Sequence, residues 1–74
     1  MELSTIKDAL KKGQIKQAAE FTTAALNEGA VVKAVLDTLI EGMDEIGQKF
    51  KNNEIFIPEV LISAKAMHAG LNIL

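Results

Sequence analysis

The sequence predicts an all-α fold, an antiparallel four-helix bundle, on three observations. Apolar residues recur at three- and four-residue spacing along nearly the whole chain, while sustained alternation and Asn-Gly or Asp-Gly turns are missing. Gly13, Gly29 and the polar run Lys51-Asn52-Asn53-Glu54 divide that periodicity into four segments, about 3–12, 15–28, 31–51 and 58–73. The links between the segments are short, and 74 residues are enough for one domain and no more.

In the first segment Leu3, Ile6 and Leu10 share one stripe. Ser4 is the expected N-cap; Lys11 and Lys12 suit the C-terminal end of the dipole, and Gly13 supplies a left-handed stop. The second segment repeats Ile15, Ala18, Ala19, Thr22, Ala25 and Leu26, a face of mostly small residues that permits close approach of a neighbour. Phe21 lies off that face, beside another helix, and Gly29 ends the segment. Glycines so close to both helix ends imply tight antiparallel hairpins.

The third segment is the longest, about 30 Å at 1.5 Å per residue. Its stripe runs Val32, Val35, Leu36, Leu39, Met43, Ile46 and Phe50, interrupted by Gly42 and Gly47. Each glycine costs about 1 kcal/mol relative to alanine in a helix interior, so something is expected to pack against the backbone there: a neighbouring helix, or a bulky ligand or partner. The last segment opens at Pro58, with Glu59 in its first turn, and shows Val60 or Leu61, then Ala64, Met67, Leu71 and Leu74. An apolar helix running flush to the last residue reads as a unit cut from something longer, or one whose end docks.

Composition narrows the function. With no cysteine there are neither disulfides nor thiolate metal sites, and His68 alone builds no histidine-rich centre. A net charge of −2 and scattered lysines give no basic face for nucleic acid. The chain opens Met1-Glu2 with no apolar run behind it, so no signal peptide and no membrane span are expected, and a cytoplasmic location follows as the default. Lys65, three residues before His68, breaks any Glu-x-x-His pattern. Glu41, Asp44 and Glu45 read as a solvated acidic face, and the glycines form no phosphate loop. No catalytic or metal-ligating set emerges, and the chain is not expected to be catalytic on its own.

Against that background the apolar content is high, 49% of residues, with a positive mean hydropathy of +0.18. A domain this small cannot bury all of it, and exposed apolar patches mark docking surfaces. Gly42–Pro58, GMDEIGQKFKNNEIFIP, concentrates the signal, with Ile55, Phe56 and Ile57 placed where a connection is normally polar. From the residues alone, then, this is a helical docking module with an apolar rim at Phe50 and Ile55–Ile57.

GMDEIGQKF followed by NNEIFIPEVLISAKAMHAGLNIL resembles the helical cap that precedes the cobalamin-binding domain in cobalamin-dependent methionine synthase and in the small corrinoid proteins of methyltransferase systems. The family pattern is read here at Gly42-Met43, Gly47, Phe50, Phe56-Ile57-Pro58, Val60, Ser63-Ala64 and Met67. AALNEGAVVKAVLDTLIEGM is similar to the same family's second and third helices, so the resemblance covers essentially the whole chain.

The resemblance implies a single cap domain, residues 1–74, lying over the upper face of methylcobalamin and shielding the cobalt-bound methyl group during methyl transfer. By position, Phe50, Ile57 and Val60 would contact the cofactor, with Met43 and Ile46 as neighbours. Ile57 stands where many members carry leucine, a volume-conserving change. The α/β cobalamin-binding domain, with its Asp-x-His-x-x-Gly loop, has no counterpart in the chain, and His68 does not match that histidine. Cobalamin is therefore expected to be contacted only when that domain is present, and not to be held by this chain alone. The implied partners are the α/β domain and methyltransferase proteins, together with a homodimer through the uncovered apolar face. The alternative is a helical oligomerisation or partner-docking module that touches no cofactor.

Overall fold

The computed structural model describes residues 2–74. Four helices, α1 (Leu3–Lys11), α2 (Ile15–Asn27), α3 (Val32–Lys51) and α4 (Ile57–Ile73), make up the fold, and there is no strand among the described residues. The bundle measures 37 × 18 × 16 Å, its long axis exceeding the rod of the 20-residue α3.

Three helices end in the same way. After α1, the Gly13 amide donates to Leu10 O (3.0 Å) and the Gln14 amide to Ala9 O (2.9 Å), with Gly13 at φ +73°. The Gly29 and Ala30 amides repeat the pair on Leu26 O and Ala25 O after α2. After α3 the left-handed residue is Asn53, at φ +62°, with the Glu54 amide 2.8 Å from Lys49 O. These are Schellman closures, which satisfy the last carbonyls of each helix.

The helix starts depart slightly from expectation. Glu2, not Ser4, occupies the α1 N-cap position, and Ser4 lies inside the helix with its hydroxyl 3.4 Å from Glu2 Oε2. Val31 caps α3 rather than opening it. Ile57 is already the first residue of α4 and Pro58 the second, a place where the missing proline N–H has no partner to lose.

The core is Ile6, Ala9 and Leu10 of α1, Ala18 and Ala25 of α2, Val35, Leu39 and Ile46 of α3, and Ala66 of α4. α2 packs most extensively on α4, and α1 on α3, whereas α2 and α3 hardly touch. The Gly29 turn therefore leads across the bundle instead of into a tight hairpin. Gly13, at the head of α2, lies against Ile62, and Thr22 lies near Gly70, so α2 and α4 run the same way. Leu39 against Gly70 sets α3 antiparallel to α4 across the 52–56 turn.

The seam between α2 and α4 is built from small residues. Thr22, Ala18 and Ala25 on α2 face a buried row of Ser63, Ala66 and Gly70 on α4. A Cβ on Gly70 would sit 3.0 Å from Leu39 Cδ1 and 3.3 Å from Thr22 Oγ1, which shows how closely the backbones approach. The buried Thr22 hydroxyl is satisfied by donating to Ala18 O at 2.7 Å. This seam corrects the expected phase of α4. Ser63, Ala66 and Gly70 are innermost, and Val60, Ala64, Met67 and Leu71 are displaced to its half-buried flank.

Candidate docking face

The turn between α3 and α4 sets the geometry of the face. Phe50 lies in the last turn of α3 and Ile57 in the first turn of α4, so the antiparallel pair brings both to one end of the bundle. Both are exposed there, Phe50 by 43% and Ile57 by 60%, and Phe56 between them by 71%. Ile55, by contrast, folds back against the core. Of Ile55, Phe56 and Ile57, one is thus anchored and two are presented.

The remaining expected positions separate into two groups. Val60 and Met43 are half-buried, packed against the core from α4 and α3. Ile46 is 2% exposed and belongs to the core, because its helical phase matches Leu39 and Gly42 on the inward side of α3. It supports the face from beneath and offers a ligand no surface. Sequence spacing alone places Ile46 and Phe50 on one stripe; the structure divides them into inside and rim.

Several residues extend the face beyond those named from the sequence. Ile40, Met43, Gly47 and Phe50 succeed one another at helical spacing along one flank of α3, and all but half-buried Met43 are exposed. On α4, exposed Leu61 follows Ile57 one turn later. The reason for so much apolar surface lies in the seam. Small residues fill the α2–α4 contact, so the large apolar residues of α4 must lie around its circumference. A second exposed apolar cluster, Val31, Val32, Ile73 and Leu74, sits at the opposite end. Val32 thereby leaves the buried stripe expected of it.

No group of three or more His, Cys, Asp or Glu side chains capable of holding a metal occurs among the described residues. His68 is exposed on α4. Glu45 accepts from Lys11 at 2.8 Å and from Lys7 at 3.0 Å, and these contacts lower its pKa from the ordinary 4.5 to about 2. That clasp ties α1 to α3 and is structural. No helix among the described residues is long and apolar enough to cross a membrane. What the face can do chemically is cover an apolar surface and keep water from it.

Comparison with known proteins places the chain in a family. Residues 3–74 match the family model described as B12 binding domain. A corrinoid protein of Desulfitobacterium hafniense is 36% identical over 73 residues, 97% of this chain and 34% of that protein. The trimethylamine corrinoid protein of Methanosarcina barkeri is 32% identical over 73 residues, with the same coverage. Monomethylamine corrinoid protein 2 of Methanosarcina acetivorans is 34% identical over 70 residues, 93% of this chain and 32% of that protein. The chain thus spans about a third of the length of the curated relatives it matches. No solved structure matches it.

Proposed function

This chain belongs to the B12 binding domain family, and from that premise we propose that it is the helical cap of a corrinoid methyl carrier, closing over the upper face of methylcobalamin held by an α/β domain. The observation that carries the reading is the exposed apolar rim on either side of the α3–α4 turn, Phe50 and Ile57, with Val60 and Met43 behind it.

The rim fits such a cofactor in kind. A face of phenylalanine, isoleucine, valine and methionine has no donor, acceptor or nucleophile to compete with a reactive methyl group. The cofactor, when bound, supplies the cobalt that carries the methyl. Phe50 and Ile57 would exclude water from it, with half-buried Val60 and Met43 beside them and buried Ile46 in the core beneath. A lid must also lift, which calls for modest contact. Covering about 200–300 Å² at roughly 25 cal/mol per Å² gives about 5–7 kcal/mol before association costs.

The test is a graft in which this chain replaces the matching third of the M. barkeri trimethylamine corrinoid protein, loaded with methylcobalamin. Phe50→Ala is expected to speed light-driven loss of the methyl group, followed by absorbance. An unchanged rate would argue against Phe50 as part of the cap.

A further inference from the structure

Three glycines lie within helices, and two of them have an evident packing reason. A Cβ on Gly42 would meet Leu10 Cδ2 at 3.0 Å and Lys7 Cγ at 3.3 Å, so α1 packs onto that stretch of α3. Gly70 serves the α2–α4 seam in the same way, against Leu39 and Thr22. Gly47 is different: it is exposed, and a Cβ there would have nothing within 4 Å. Nor does its backbone demand glycine, since the positive-φ glycines are Gly13 and Gly29. An alanine at this place would fit the helix, meet no neighbour and lower the free energy of the folded chain. The fold gains nothing from Gly47.

Its position gives the reason. Gly47 lies one turn after Met43 and one turn before Phe50, on the flank of α3 that carries the apolar face. We infer that Gly47 is a steric-specificity residue of the cap: its missing side chain lets the corrin macrocycle come up against the α3 backbone, flanked by Met43 and Phe50. This rests on the cap reading and sharpens it. A bulky macrocycle laid on the helix needs close approach to its backbone, and a methyl standing between Met43 and Phe50 would hold the lid off. Local stability is given up where a bound partner requires the space, a pattern expected at functional sites.

The test separates this inference from the reading beneath it. In the free chain, Gly47→Ala is expected to raise the thermal unfolding midpoint by about 4–8 °C, as a helix-interior glycine replaced without crowding should. In the methylcobalamin-loaded graft, the same substitution is expected to speed light-driven methyl loss by roughly five- to a hundredfold, the range that overpacking by one methyl produces. Gly47→Ser, nearly as small, should act in the same direction on methyl loss. If Gly47→Ala leaves methyl loss unchanged while Phe50→Ala speeds it, the cap reading stands and the role of Gly47 falls. If neither variant changes it, both fall. A lowered midpoint in the free chain would reveal a structural need for the glycine and would also overturn the inference.

Discussion

At the scale of single residues, the chain divides its apolar side chains into those that hold and those that present. Ile46 and Phe50 stand one turn apart on α3, yet one is sealed in the core and the other looks out. Ile46→Ala is therefore expected to cost about 2–5 kcal/mol of stability, measured by urea unfolding. Phe50→Ala should cost far less and act on cofactor capping instead. Asn53 is a quieter case. It closes α3 at φ +62°, where glycine is unstrained, so Asn53→Gly is expected to raise stability by about 0.5 kcal/mol, and a bulky Val there to lower it. Glu45 contributes acid sensitivity. Its pKa, held at about 2 by Lys11 and Lys7, lies below the ordinary 4.5, so its stabilising contribution is complete above pH 4.5 and fades as pH falls towards 2. Glu45→Gln is expected to flatten that part of the stability profile without altering the rest. A wild-type and variant pair that lose stability in parallel between pH 4.5 and 2 would contradict the assignment.

At the scale of elements, the number and order of helices were legible because turn chemistry and periodicity agree. Gly13 and Gly29 close α1 and α2 as their positions suggest, and the Asn52-Asn53 pair stops α3. The phase of α4 was not legible. IPEVLISAKAMHAGLNI is apolar around its whole circumference, so spacing cannot say which side is buried. The decision falls to the partner, α2, whose small face accepts only the small residues of α4. The burial of Ile46 was not legible for a related reason: period alone does not distinguish the floor of a face from its rim. The seam makes a prediction of its own. Ala66→Leu would force α2 and α4 apart and is expected to cost about 1–3 kcal/mol, seen as a lower urea midpoint with an unchanged slope.

At the scale of the whole molecule, the packing of the bundle and its exposed rim have one origin. A bundle sealed by Ala, Ser, Thr and Gly between α2 and α4 leaves much of the large apolar surface of α4 outside the core, and Phe56, Ile57 and Leu61 are exposed beside Phe50 at the α3–α4 turn. The domain is thereby left with a surface that suits a partner better than water. The family match and the exposed rim together motivate the proposal that this surface meets a corrinoid. The direct measurement is amide NMR of the grafted carrier, isotope-labelled, compared without cofactor and with methylcobalamin bound. Chemical-shift changes concentrated at Met43, Gly47, Phe50, Ile57 and Val60, and absent at Val31, Val32 and Ile73, are the predicted result. Changes centred on the opposite end, or none in the cap at all, would contradict a lid that closes through the α3–α4 face.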